Sequence, residues 1–358
     1  MPAHPFAGLT VDHVEFYVAD LQAATRYFVD GYGFAVHGMS DTSNPQADTA
    51  SVALGSHQIR IILTTPLRDD HPGAAYLENH GDGVADIAMR VDDVAACFAE
   101  TVRRGGRPVS PPTRHGGTVL ATVGGFGDVV HTLVQRDPGA DERVLPWLAP
   151  VVPSAAERGP GLLAMDHFAI CLESGQLEPT VDFYRETLDF DMIFTEHIVV
   201  GAQAMNSKVV QSRTGAITFT LIEPDVSRTP GQIDDFIKHH GGAGVQHIAF
   251  NTDDIVSAVA AMGARGVEFL RTPAAYYRLL RERITPVRHS TGDLQERNIL
   301  LDEDHHGQLF QIFTRSAHPR NTLFMEIIER VGAQTFGSRN IQALYEAVEL
   351  QRAETGTS

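Results

Sequence analysis

The feature that most constrains this chain is repetition. GDGVADIAM at 81–89 returns as GAGVQHIAF at 242–250, and VDHVEFYVADLQAATRYFVDGYGF at 11–34 returns as MDHFAICLESGQLEPTVDFYRETLDF at 165–190. Each longer segment reads as a strand opening on Asp-His, a turn, an amphipathic helix ending in an aromatic pair, and a tight exit. Each shorter one continues from an alternating strand into Asp-Asp, a signal that caps a helix N-terminus, and then into a helix closed by glycine. Short strands follow every copy: SVALGSHQIRIILT and ATVGGFGDVVHTLVQR early, KVVQSRTGAITFTLIEP and GQLFQIFTR late. The unit is β-α-β-β-β, used four times, two per half.

A unit covered by a helix on one face has to bury its other face against a second copy, so tandem halves are expected. The stretch RDPGADERVLPWLAPVVPSAAERGPG is rich in Pro, Ala and charge and suits a linker. The expected division is an N-terminal domain over 1–136, a linker over 137–161 and a C-terminal domain over 162–358. Near the end, GSRNIQALYEAVELQR reads as a helix with Ile341, Leu344, Tyr345 and Val348 on one stripe.

Composition narrows the class. The 358 residues are 43% hydrophobic and 20% charged, as in globular proteins. A net charge of −17 argues against a nucleic-acid partner, which needs clustered Lys and Arg. Cys97 and Cys171 sit in apolar runs, so free thiols in a reducing compartment are expected. No apolar run reaches the roughly 18–20 residues that span a bilayer. The N-terminus shows no basic segment leading into an apolar core, so no secretory leader is expected and a cytoplasmic location is the default. A homo-oligomer is compatible with these numbers without being specified by them.

Ionisable residues stand where apolar ones are expected. His167 precedes the alternating Phe168-Ala169-Ile170, His247 lies among Val245, Ile248 and Phe250, and Glu326 interrupts TLFMEIIER. A carboxylate buried among such neighbours is costly unless paired or bound to a metal. Three such residues on three strands of one curved sheet could converge on its concave side. Two histidines and a carboxylate are the facial set of a non-haem Fe(II) centre, with three positions left open. Any one of the 17 histidines taken alone is more often structural, and Glu326 alone could serve an ion pair. The first half offers a rival set, His13, Asp86 and His131, on approximately matching strands. Periodicity does not choose between the halves.

The stretches MDHFAICL, GGAGVQHIAF, LFQIFT, TLFMEIIER and FGSRNIQALYEAVE resemble the 4-hydroxyphenylpyruvate dioxygenase family of the vicinal oxygen chelate superfamily. The resemblance covers essentially the whole chain. It implies an α+β fold of four βαβββ modules, each half a curved mixed sheet closing into an open barrel, with a C-terminal lid helix. It implies Fe(II) as cofactor, held by the residues matching His167, His247 and Glu326, and no metal in the first half. His13, Asp86 and His131 would then be relics of duplication.

The implied substrates are 4-hydroxyphenylpyruvate and O2; the substrate carries its own 2-oxo acid, so no separate co-substrate is needed. Ser207, Gln232, Gln246 and Gln311, with Thr220 a weaker candidate, match polar positions of the family pocket. Phe313 and Phe336 match aromatics that hold the phenol ring, and Asn340 with Ile341 belongs to the lid. The family contains two activities. Homogentisate-forming members usually show Ile-Asn-Glu-Pro where this chain has LIEP, and Asn-Phe in the last helix where it has Asn-Ile. Ile222 and Ile341 therefore point to the branch that hydroxylates the benzylic carbon, giving 4-hydroxymandelate and CO2. EHIVVGAQAMNSKVVQS and AAYYRLL point the same way. The rival readings are homogentisate formation, extradiol cleavage of a catechol, and a metal-free binding protein of the same superfamily.

Overall fold

The computed structural model describes residues 4–41, 47–152, 159–337, 339–340 and 342. The first module comprises β1 (Thr10–Tyr17), α1 (Leu21–Arg26) with a π-helical turn (Tyr27–Gly31), β2 (Ala35–Met39), β3 (Thr49–Ser56) and β4 (Ile59–Pro66). After α2 (Pro72–His80) the second follows: β5 (Gly83–Arg90), α3 (Val94–Arg103), β6 (Pro108–His115), β7 (Thr118–Gly124) and β8 (Val130–Arg136). The short β9 (Ala149–Pro150) lies between the halves. The third module is β10 (Leu162–Cys171), α4 (Leu177–Leu188), β11 (Asp191–Val200), β12 (Gln203–Gln211) and β13 (Thr218–Pro224). After α5 (Gln232–His240) comes the fourth, which opens with β14 (Gly244–Thr252) and α6 (Ile255–Ala264). Its helices α7 (Ala274–Arg283) and α8 (Thr291–Glu296) precede β15 (Leu300–Glu303), β16 (Gln308–Phe313) and β17 (Phe324–Val331).

The strands form two sheets, ordered β6-β7-β8-β5-β1-β4-β3-β2-β9 and β11-β12-β13-β10-β14-β17-β16-β15. In the first, β1 runs antiparallel to β5 and parallel to β4, and β5 runs parallel to β8. The quartet of β10, β14, β13 and β17 repeats that pattern. Local chemistry sets the helices within it. The second Asp of each Asp-Asp pair caps its helix, Asp93 accepting from the Ala96 amide and Asp254 from the Ser257 amide. Gly105 and Gly266 end those helices at φ of 100° and 88°, where a side chain would be strained.

Strand alternation separates two environments. Val14, Phe16 and Val18 of the first half and Phe168, Ile170 and Leu172 of the second belong to one continuous apolar core on the helix-bearing faces. Phe34 meets Phe250 edge-on at 5.8 Å, so the core joins the halves. The opposite, concave faces carry His13 and Glu15 in one half and His167 in the other, each beside a cavity. Strand β6, with Pro108, Pro111 and Pro112 and every residue exposed, is confined to an edge because proline donates no ladder hydrogen bond.

The segment after β8 packs rather than hangs. Val144, Leu145 and Leu148 bury against Ala53 and Ile62, and β9 pairs with β2. Among the described residues no helix is long and apolar enough to cross a membrane. Arg339, Asn340 and Gln342 are helical. Ile341, Leu344, Tyr345 and Val348, and with them the body of the expected lid helix, lie outside the described residues.

Candidate metal centre and its cavity

Three adjacent strands bring His167, His247 and Glu326 together. His167 stands opposite Ala249, and Ala249 opposite Glu326, so a histidine and a carboxylate flank a methyl-sized residue. His247 lies two residues before Ala249 on the same face. The Nε2 atoms of His167 and His247 each lie 3.3 Å from the Glu326 carboxylate, and one ligand atom from each of the three falls within 4.8 Å of the others.

Two β-bulges make this possible. The β10–β14 register passes from Met165–Phe250 to His167–Ala249 and from Ala169–His247 to Ile170–Val245, leaving Asp166 and Gln246 as the extra residues. A bulge re-aims its side chain. Gln246 thereby lines the same cavity as its neighbour His247. Asp166 sits beside His167, whose Nδ1 lies 2.8 Å from its carboxylate. With the proton held at Nδ1, Nε2 faces the cavity as a ligand atom. Arg330 donates to both Asp166 oxygens at 2.8 Å and to the carbonyls of Ala333 and Thr335. Its guanidinium lies 5.1 Å from the Phe336 ring centre, and that ring meets His167 edge-on at 5.2 Å. One half-buried cation thus ties the first histidine to the chain that leads into the last helix.

Electrostatics suit a cation. Burial opposes charge on His167, but the Glu326 carboxylate and the Asp166 hydrogen bond outweigh it and push its pKa up to about 9. Burial pulls His247 down. Glu326 stays below its usual value because the two imidazoles offset its burial. Its Oε1 is buried with no hydrogen-bond partner. An orphaned carboxylate oxygen beside two Nε2 atoms is a donor set that a divalent metal ion fits, displacing the proton on His167.

The cavity brings almost all the other expected site residues to its wall. Ser207, Thr220, Gln232, Gln246, Gln311, Phe313, Phe336 and Ile222 all line it. Thr220 Oγ1 is buried without a partner. Asn340 stands behind the wall: its amide donates to Gln311 Oε1 at 3.3 Å while its own oxygen accepts from Tyr276 at 2.8 Å. Ile341 lies outside the described residues.

Sequence reasoning missed Phe194, Glu196, Ile198, Leu270 and Phe324, which also line the cavity, and the Asp166–Arg330 pair. The edge strand β11 carried no apolar signal strong enough to mark its inward residues. Asp166 and Arg330 did carry a signal: Asp-His opens both halves, and an arginine stands last in β8 and next to last in β17.

The rival set of the first half does not assemble. Asp86 pairs with Val130 as His247 pairs with Phe324, so the partner of Glu326 is Thr132, one residue beyond the expected His131. His131 faces the shared core, bonded to the Ile87 carbonyl and, at 2.8 Å, to the Tyr184 hydroxyl of the other half. One other group among the described residues draws together, Asp254, His289 and Glu329. There Glu329 already accepts from the Ile255 amide and pairs with Arg288 and His289.

Two curved βαβββ sheets with a buried histidine–carboxylate cluster define a vicinal oxygen chelate enzyme. Models of the glyoxalase/bleomycin resistance protein/dioxygenase superfamily match residues 12–121 and 164–312. A 4-hydroxyphenylpyruvate dioxygenase of Yarrowia lipolytica is 32% identical over 96% of this chain and 92% of its own. That of Dictyostelium discoideum is 32% identical over 96% and 98%. A solved mutant of 4-hydroxymandelate synthase from Streptomyces coelicolor superposes with a TM-score of 0.87 at 44% identity, covering 98% of this chain and 100% of that one. The chain belongs to the 4-hydroxyphenylpyruvate dioxygenase family and is a dioxygenase.

Proposed function

We propose that this protein is an Fe(II)-dependent dioxygenase that converts 4-hydroxyphenylpyruvate and O2 to 4-hydroxymandelate and CO2. The observation that carries the reading is a cavity in which His167, His247 and Glu326 face an apolar Ile222. The likeness to the Streptomyces enzyme supports the same product. The chemistry belongs to the half from residue 162 onward; the half up to 136 serves as its structural twin.

Bound through His167, His247 and Glu326, Fe(II) supplies O2 activation and a template for the substrate's 2-oxo acid. The chain does the rest. Asp166 keeps the His167 proton on Nδ1. Asn340 occupies Gln311 Oε1, so the Gln311 amide offers its N–H groups to substrate oxygens. Gln246, brought inward by its bulge, and Gln232 at the start of α5 add amides on other walls. Phe313 and Phe336 bound the space for the ring and exclude water. Ile222 stands across from Ser207 and gives no polar hold. A ring free to shift there presents its benzylic CH2 for hydroxylation, and a displacement of about 1 Å is enough to decide between two reacting atoms.

The test is the product formed by purified protein with Fe(II), ascorbate, O2 and 4-hydroxyphenylpyruvate. The candidate products are isomers, so NMR or chromatography against standards is required. A benzylic alcohol is expected. Homogentisate would keep the metal chemistry and overturn the product, and absence of substrate-dependent CO2 release would overturn both.

A further inference from the structure

The first half keeps a cavity at the place its twin uses for the metal cluster. It is lined by His13, Glu15 and Asp86, and by Trp147. The scaffold beneath His13 matches that of the second half. Asp12 is the extra residue of a bulge, Arg136 donates to both its oxygens at 2.9 and 2.7 Å, and His13 Nδ1 lies 2.8 Å from it. His13, 4% exposed, therefore aims Nε2 into the cavity, where no described residue hydrogen-bonds it.

Two carboxylates stand beside it. Asp86, 6% exposed, lines the cavity and accepts from the Thr132 amide. Glu15 accepts from the Thr64 hydroxyl with one oxygen, and no described residue donates to the other. Burial raises the Asp86 pKa to about 6, the mark of a carboxylate with too little positive charge around it. Burial opposes charge on His13, but Asp12, Asp86 and Glu15 outweigh it and raise the His13 pKa, so the cavity is negative enough to hold a cation in place of that proton.

The cation is not a bare metal ion. Only two groups among the described residues draw three ligand atoms within 4.8 Å, and His13, Glu15 and Asp86 are not one of them. An ammonium group spreads three N–H donors over a wider circle. Leu120, Leu145 and the half-exposed Trp147 line the same cavity and suit an apolar or aromatic body. We propose that this cavity is a second binding site, which takes a primary ammonium ion bearing a short apolar or aromatic body. It is independent of the reaction assigned to the other half.

Trp147 is the chain's only tryptophan, so its fluorescence reports this cavity alone. The full-length protein would be titrated with 2-phenylethylammonium chloride, with neutral 2-phenylethanol and with zinc and magnesium chlorides, by fluorescence and by calorimetry. Saturable binding of the amine is expected, at least about tenfold tighter than the alcohol, and Asp86→Asn should weaken it by at least about tenfold. Glu15→Gln provides a second variant should Asp86→Asn not fold, and His167→Ala, which alters the other cavity, should retain the binding. Equal response to amine and alcohol, no saturable binding by either method, amine binding indifferent to the Asp86 and Glu15 variants, or a Trp147 response to metal ions in place of the amine would each overturn the assignment.

Discussion

Replacing Asp166 by asparagine tests the metal centre through one hydrogen bond. Asp166 accepts the Nδ1 proton of His167, leaving Nε2 to ligate. An asparagine can turn its NH2 toward Nδ1 instead and drive the proton to Nε2, where it blocks a metal. Loss of such a partner lowers metal affinity about 10- to 100-fold, or about 1.4 to 2.7 kcal/mol. The change also strips Arg330 of its ionic partner. Breaking a fully buried pair costs about 3–5 kcal/mol; with Arg330 22% exposed, about 2 kcal/mol of stability is the expected loss. The first half supplies the control. Asp12 and Arg136, 2% and 3% exposed, repeat the pair away from the cluster, so Asp12→Asn should destabilise at least as much and leave metal affinity unchanged. Anaerobic Fe(II) or Co(II) titration of the full-length protein, with thermal unfolding alongside, reads both quantities. Wild-type affinity in Asp166→Asn, or an equal loss in Asp12→Asn, would refute the reasoning.

Ile222→Asn, alone and with Ile341→Phe, should raise the homogentisate share of the product; an unchanged ratio removes Ile222 from product control. Glu196 lines the cavity, lies across from Ser207 and has no hydrogen-bond partner among the described residues, so its carboxylate is placed to accept a phenol O–H. Glu196→Ala should cut the preference for 4-hydroxyphenylpyruvate over phenylpyruvate by about tenfold or more in kcat/KM, the worth of a charged hydrogen bond; an unchanged preference excludes the contact. Burial holds His131 neutral with its pKa down at about 4, below the roughly 6.5 of an unfolded histidine. The unfolded chain therefore takes up a proton between those values while the folded one does not. Stability is full above pH 6.5 and falls by about 3 kcal/mol on the way down to pH 4. In His131→Gln the gap in urea stability between pH 7 and pH 4.5 should narrow by most of that amount, and an unaltered gap would place the acid sensitivity elsewhere.

The modules were legible because their signals are local. Asp93 and Asp254 cap helices from within their own turns, Gly105 and Gly266 end them, and alternation marks each strand's buried face. His167, His247 and Glu326 stood out because a charge in an apolar strand is anomalous at any register. Pairing across strands was not legible. His131 was misplaced by one residue, and one residue turns a strand side chain to the opposite face. The register of β5 on β8, which puts Thr132 in the place of Glu326, is settled by long-range packing. The bulges at Asp166 and Gln246 are likewise mismatches between two strands, invisible in either alone.

Arg330 reaches Asp166 across 164 positions of chain, and Val144, Leu145 and Leu148 of the expected linker find their apolar partners on β3 and β4. By itself, then, the sequence determined the repeating βαβββ units and which ionisable side chains stand in apolar strands, since hydrogen-bond caps, glycine conformations and period-two burial act within a few residues. Only the tertiary structure decided which of those side chains share a cavity, because that depends on strand register and on bulges, which exist only once distant strands have paired.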